Sequence, residues 1–149
     1  MHRHPLDPSI TSTVCWYRQA PATAAEITSL RRALAGWLAR IGVDDRCRQD
    51  VVAAVYEALA NVVEHAYPGR DAGVHGGVVE VDATFVAHEQ DLEITVADHG
   101  RWRAGMRASH TGSRGRGLEL IAALTTHTRV STAGTGTTVT MSWQADLPV

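Results

Sequence analysis

One apolar stretch with polar side chains at a fixed spacing constrains the fold more than any other feature of the chain. Glu57, Asn61 and His65 follow one another at intervals of four residues, and the positions between them are mostly Ala, Leu and Val. Residues four apart lie on one face of an α-helix, so these side chains form a polar stripe on an otherwise apolar surface. Because burying such a stripe costs free energy unless something polar meets it, the pattern predicts a helix beside a polar site.

Glu57 and Asn61 can divide the work of phosphoryl transfer. The amide oxygen of Asn61 suits Mg²⁺, a hard cation, and the Glu57 carboxylate can accept a proton from an attacking hydroxyl or orient it. The alternative for this pair alone is a polar helix edge in solvent. The chain contains no lysine, which excludes a Walker-A lysine and Schiff-base chemistry. A phosphate site must therefore use backbone amides, arginine or a metal.

Two further positions suit a purine base. Asp98 follows a predicted strand and can accept a hydrogen bond from an exocyclic amine such as that of adenine. Gly100 lets a flat ring lie against the backbone. Taken alone, an Asp and a Gly after a strand are more often just a turn. Thr137, at a predicted hairpin turn, can also hydrogen-bond a base through its hydroxyl.

A glycine-rich segment supplies a candidate phosphate site. Gly115 and Gly117 stand where a loop becomes a helix, just before Leu118. Free backbone N–H groups and the positive end of the helix dipole attract phosphate at such a place. Arg114 and Arg116 flank the glycines, and arginine pairs with phosphate in fork geometry. The alternative for the two arginines is a pair of solvated charges on a lid.

Bulk properties exclude several classes of protein. The 149 residues carry a net charge of −2, with a pI of about 6.4, which argues against direct nucleic-acid binding. No apolar run is long enough for a membrane helix, and no signal peptide is evident at the start. The two cysteines are far apart and form no CxxC pair, so a reducing cytoplasm is the expected location.

Hydrophobic periodicity predicts one domain with the element order β-α-α-β-β-loop-α-β-β. The predicted segments are a strand at 10–18, helices at about 23–41 and 46–66, strands around 79–84 and at 92–97, a helix at 117–124, and a hairpin that pairs 127–131 with 137–143. Residues 1–9 are predicted to be a flexible arm, and residues 99–116 a lid or binding loop. Hairpins in place of strict β-α alternation favour an α+β, two-layer sandwich, with a mixed, mostly antiparallel sheet and helices on one face.

In this order the segments resemble the ATP-binding domain shared by gyrase, Hsp90, sensor histidine kinases and MutL, the GHKL or Bergerat fold. The resemblance is strongest to its branch of anti-sigma factor serine/threonine kinases. Residues 57–67 match the N-box of that branch, 98–100 its adenine-binding box, 114–118 its phosphate-binding box, and 136–137 its terminal Gly-Thr. The resemblance covers residues 10–145, which it implies are one histidine-kinase-like ATP-binding domain.

The resemblance implies that ATP and Mg²⁺ bind between the helices and the lid. It assigns Mg²⁺ to Asn61, the role of base or water-orienting residue to Glu57, the adenine amine to Asp98, the phosphates to Gly115 and Gly117, and one side of the base to Thr137. The other cofactor-binding candidates are members of the matched motifs: His65, Gly100, Arg114, Arg116 and Leu118. Many relatives carry a second glycine after the adenine box, where this chain has Trp102 and Arg103.

The resemblance also implies a function in transcription regulation. Members of this branch phosphorylate a serine or threonine of a small anti-sigma factor antagonist, and they sequester a sigma factor, often as a homodimer. The alternative is a binding module that holds its partner in a nucleotide-dependent manner without phosphoryl transfer. A third interpretation, the catalytic domain of a sensor kinase, is less favoured because no histidine-bearing dimerisation helix precedes the domain.

Overall fold

A computed structural model describes residues 12–67, 77–100 and 117–144. In chain order its elements are β1 (Thr13–Pro21), α1 (Ala24–Arg40), α2 (Asp45–Asn61), a π-helix (Val62–Ala66), β2 (Val78–Val86), β3 (Asp91–Asp98), α3 (Gly117–Leu124), β4 (His127–Ala133) and β5 (Gly136–Gln144). The predicted arm at 1–9 and the predicted lid from residue 101 onward lie outside the described residues.

The strands form a single five-stranded sheet in the order β1-β2-β3-β5-β4, and every described neighbouring pair is antiparallel. Along β2, β3 and β5, alternate residues are buried and the residues between them are more exposed. Alternation of this kind means that one face of the sheet packs on a hydrophobic core and the other faces solvent. The predicted α+β sandwich with helices on one face is therefore confirmed.

Polar caps fix where the two long helices begin. The Thr23 side chain accepts a hydrogen bond from the backbone N–H of Glu26 at 3.3 Å, and Asp44 Oδ1 accepts one from the N–H of Cys47 at 2.9 Å. Both caps satisfy a backbone donor that the helix itself leaves unpaired. Asp44, and not the adjacent Asp45, is therefore the cap of α2.

The core lies between the sheet and the helices. Its buried side chains come from every layer: Ile27, Leu30, Leu34 and Leu38 of α1, Val51, Val55 and Leu59 of α2, Ile121 of α3, and Val79, Val81, Phe85, Leu92, Ile94, Val96, Val139 and Met141 of the sheet. Trp16 of β1 stacks on Trp37 of α1 with ring centroids 6.2 Å apart. Trp143 of β5 is also buried and donates its indole N–H to the carbonyl of Leu124 at 2.7 Å, which joins the sheet to α3.

The end of β1 and the form of the last helical turn before residue 67 both differ from the prediction. β1 extends to Pro21, where the sequence predicted an end at about residue 18, because a proline is tolerated at the end of an edge strand. The second helix was predicted to run to residue 66 as a regular α-helix, but its last turn, Val62–Ala66, is a π-helix. None of the helices that the structure describes has the length and hydropathy needed to cross a membrane.

Candidate functional site

The two polar residues of α2 lie against the start of α3. Asn61 is only 2% exposed. A Cβ placed on Gly117 would lie 3.2 Å from Asn61 Oδ1 and 3.4 Å from Glu57 Oε2. The helical spacing that suggested a shared face thus brings the carboxylate and the carboxamide together, and the first residue of α3 closes over both. Any side chain larger than hydrogen at residue 117 would crowd these groups.

A second polar cluster forms where β3 ends beside the start of β5. Asp98 is 3% exposed, and its Oδ1 accepts hydrogen bonds from the backbone N–H of Gly100 at 3.0 Å and of Thr137 at 3.3 Å. Thr137 is 2% exposed, and its Oγ1 has no hydrogen-bond partner among the described residues. A buried hydroxyl without a partner costs free energy, so this atom suits a ligand or a water molecule.

Close backbone contacts hold this cluster against the helix. A Cβ on Gly100 would lie 1.8 Å from the carbonyl oxygen of Ala66, the last residue of the π-helix. A Cβ on Gly136 would lie 2.0 Å from the carbonyl oxygen of Asp98, and Gly136 has a φ of +151°, which favours glycine. Glycine at these two positions lets the end of β3 contact both the helix and the final hairpin.

Tyr67, which the sequence analysis did not place among the site residues, links three elements through its hydroxyl. The hydroxyl donates to the carbonyl of Val78 at 2.6 Å and accepts from the N–H of Val78 at 3.1 Å and of His99 at 3.2 Å. Its ring also lies close to Gly77 and Gly100. The sequence signal for this role was an aromatic residue with a polar tip at the end of an apolar helix. The groups that bind the Tyr67 hydroxyl are distant in sequence, so the sequence did not identify them.

The remaining predicted site residues lie in the π-helix, in α3 or outside the described residues. His65 lies in the π-helix, and its Nε2 lies 3.6 Å from Glu64 Oε2. Its place in the site stays a prediction. Leu118 is half-buried and packs against the core. Arg114, Gly115 and Arg116, as well as Trp102 and Arg103, lie outside the described residues.

A carboxylate on the outer face of the sheet connects β1 to the residue that follows Asp98. Glu80 Oε1 accepts a hydrogen bond from the Tyr17 hydroxyl at 2.9 Å, and Glu80 Oε2 lies 3.5 Å from His99 Nε2. The hydrogen bond to Glu80 raises the pKa of Tyr17 above its ordinary value, because losing the proton would place two negative charges side by side.

The comparison of sequences with protein families identifies the domain. Residues 20–143 match the family of histidine kinase-like ATPase domains. This matched range contains both polar clusters and the elements from α1 to β5. The chain belongs to this family. The GHKL resemblance inferred from the ordered motifs is thereby confirmed, and so is the fold that it implied.

Individual relatives with similar sequences include serine-protein kinases named RsbW. The chain is 33% identical over 82 residues to the serine-protein kinase RsbW of Listeria monocytogenes (serotype 4a) and 40% identical over 80 residues to that of Bacillus pumilus. The aligned segments include 55% and 54% of this chain. They span about half the length of these relatives, 48% and 47% respectively.

Two solved structures share the fold of this chain. The crystal structure of the RsbU and RsbW domains of Rv1364c from Mycobacterium tuberculosis superposes with a TM-score of 0.69 at 27% identity, covering 88% of this chain and 32% of that one. A blue-light-activated histidine kinase from Erythrobacter litoralis has a TM-score of 0.59 at 20% identity, covering 82% of this chain and 42% of that one. The second likeness concerns the fold alone.

We expect Gly100→Ala to destabilise the domain, because the added methyl group would overlap the carbonyl oxygen of Ala66. Overpacking of this kind typically costs about 1–3 kcal/mol. Urea unfolding measures the loss. Gly134→Ala is the matched control, since a Cβ there meets nothing within 4 Å. An equal change in the two variants would contradict the close contact between β3 and the π-helix.

Tyr67→Phe keeps the ring and removes the hydroxyl that serves two backbone N–H groups and a carbonyl. Leaving such groups unsatisfied costs about 1–3 kcal/mol. We expect faster amide hydrogen exchange at Val78 and His99, the two residues that donate to the hydroxyl. Tyr56→Phe, on the half-buried face of α2, is the control. Unchanged protection at both amides would show that the hydroxyl does not hold this junction.

Proposed function

We propose that this domain binds ATP and transfers its γ-phosphoryl group to a serine or threonine of a small anti-sigma factor antagonist, and that it sequesters a sigma factor. The observation that carries the proposal is a pair of polar clusters. In one, the half-buried Glu57 and the buried Asn61 lie against the start of α3; in the other, the buried Asp98 lies at the end of β3. Membership of an ATPase family and similarity to serine-protein kinases support it.

The base-binding half of the site fits adenine. Asp98 is held by two backbone N–H groups on one oxygen, which fixes the direction of its carboxylate. A carboxylate accepts hydrogen bonds, so it favours the exocyclic amine of adenine over the carbonyl of guanine. The buried Thr137 Oγ1, which has no partner among the described residues, is the second group that a purine would satisfy.

The transfer half of the site fits a phosphoryl group and an acceptor hydroxyl. We infer that Asn61 holds Mg²⁺ through its carboxamide oxygen, and that the metal, when bound, supplies positive charge to the phosphate oxygens. The Glu57 carboxylate, next to Asn61 across from Gly117, takes the proton of the acceptor hydroxyl. Gly115, Gly117 and Leu118, with Arg114 and Arg116, are the proposed phosphate-binding segment.

The partners follow from the family resemblance. The antagonist would supply the hydroxyl, and the sigma factor would bind the same domain when the antagonist is phosphorylated. Action in the cytoplasm, and a homodimer as the working form, are parts of this proposal. A nucleotide-dependent binding module without phosphoryl transfer is the competing function, and the experiments below separate the two.

Asp98→Asn tests base recognition. The variant replaces an acceptor by an amide of the same size, so we expect ATP affinity to fall by about tenfold to a hundredfold, with the preference for ATP over GTP reduced. Isothermal titration calorimetry with each nucleotide measures both effects. Asp82→Asn, at an exposed position of β2, is the matched control. Undiminished selectivity in Asp98→Asn would remove this residue from the base site.

Glu57→Gln tests phosphoryl transfer. The amide cannot accept a proton, so we expect transfer of label from γ-labelled ATP to candidate antagonists to slow by about a hundredfold or more. Glu93→Gln, at an exposed position of β3, carries the same change away from the site and should transfer at the normal rate. Transfer that persists in Glu57→Gln would refute its role as base.

The same assay tests the competing function. Tight binding of ATP by the unaltered protein, with no label on any candidate antagonist, would favour the binding module. If calorimetry detected no adenine nucleotide binding, with or without Mg²⁺, both functions would be wrong.

A further inference from the structure

A line of polar side chains crosses the outer face of the sheet diagonally, from β1 through β2 to the residue after β3. In the strand register Tyr17 lies opposite Asp82, and Glu80 lies opposite Ala97. The Tyr17 hydroxyl contacts Glu80, two residues from its direct partner, and His99 contacts Glu80 from two residues beyond Ala97. Diagonal neighbours in an antiparallel pair are within reach of long side chains. The carboxylate of Glu80 thus joins the edge strand to the end of β3.

His99 is held at its backbone and at its side chain by different elements. Its N–H donates to the Tyr67 hydroxyl at 3.2 Å, and its Nε2 lies 3.5 Å from Glu80 Oε2. The next backbone N–H, that of Gly100, donates to Asp98 Oδ1 at 3.0 Å. His99 therefore lies inside the turn that fixes the carboxylate proposed to bind adenine, and a force on its side chain acts on that turn.

The groups that face the His99 imidazole come from β1 and β2. On β2, Glu80 is in contact with the ring, and Asp82 lies one outer-face position further along the strand. On β1, the hydrogen bond to Glu80 raises the pKa of Tyr17, so its hydroxyl stays protonated near neutral pH and continues to donate to the carboxylate. From β5, the uncharged Gly136 lies close to the His99 backbone. A histidine side chain changes charge between pH 5 and 8, and its cationic form attracts a carboxylate more strongly than its neutral form.

We propose that Glu80 is a positioning residue for nucleotide binding, which acts through His99 on the turn that carries Asp98, and that this contact makes ATP affinity depend on the charge of His99. The carboxylate holds the imidazole on the outer face, while Asp98 meets the base on the buried side of the same turn. The contact is strongest when His99 is protonated, so it favours ATP binding at pH 6 over pH 8. The inference deepens the proposed ATP-binding function and rests on it.

Calorimetry of ATP binding to the full chain at pH 6 and pH 8 tests the proposal. Glu80→Gln keeps the size of the side chain and removes its charge. Because a partly exposed ion pair contributes little, we expect the variant to bind ATP about twofold to fivefold more weakly than the unaltered protein at pH 6 and nearly as well at pH 8. Protonation of ATP itself contributes equally to both proteins, so it cancels in this comparison. Equal pH dependence in the two proteins would overturn the proposal.

Asp82→Asn is the matched control, since it removes the same charge from the outer face of β2, two residues away from Glu80. We expect this variant to keep the ATP affinity and the pH dependence of the unaltered protein. A change as large as that of Glu80→Gln would attribute the effect to a general loss of negative charge, and the specific role of Glu80 would be wrong.

A double-mutant cycle tests whether Glu80 acts through His99. His99→Gln removes the titrating ring and keeps the backbone N–H that donates to Tyr67. We expect Glu80→Gln to add little to the loss of ATP affinity in His99→Gln at pH 6, because the group on which the carboxylate acts is already absent. Losses that add in full would show that Glu80 acts by another route and would contradict the proposal.

The same measurements separate this inference from the function on which it rests. If the unaltered protein bound no adenine nucleotide at either pH, the ATP-binding function would be wrong, and the inference would fail with it. If the unaltered protein bound ATP and Glu80→Gln matched it at both pH values, only the role of Glu80 would be wrong.

Discussion

A buried carboxylate at the end of β3 is the constraint on which the polar site depends. A polar side chain buried away from water costs free energy unless it is hydrogen-bonded. Asp98 accepts such bonds from the backbone on both sides, from Gly100 along the chain and from Thr137 of the neighbouring strand. These two bonds fix the end of β3 relative to the start of β5. They also require a backbone so close that Gly136 cannot carry a side chain.

The parts of this architecture that are local in sequence could be predicted from the sequence. The bounds of α3 at Gly117–Leu124 follow from a glycine start and a compact apolar pattern, and they agree with the structure. The proximity of Glu57 and Asn61 follows from one turn of α-helix, because no other part of the chain is needed to bring them together. The final hairpin was recognisable from its glycine-rich turn.

The parts that depend on contacts between distant segments could not be predicted from periodicity. Only the register of β3 and β5, in which Ala97 lies opposite Thr138, brings Asp98 next to Thr137, and alternation of apolar residues does not reveal strand order. Tyr67 has partners 11 and 32 residues away, so nothing near it in sequence indicates its role. The motif resemblance supplied the pairing of segments that local patterns lacked.

The π-helix has a consequence for how this region can change in evolution. Its wider turn accommodates one residue more than an α-helical turn, and it ends at the carbonyl against which Gly100 packs. Deleting a single residue from Val62–Ala66 would restore the α-helical pitch and leave the direction of the chain beyond it nearly unchanged, because four α-helical residues turn through about the same angle as five π-helical ones. The contacts of Tyr67 with β2 and with the residue after β3 would then stay in place. This turn is therefore a position at which the helix can gain or lose one residue without displacing the strands that it contacts.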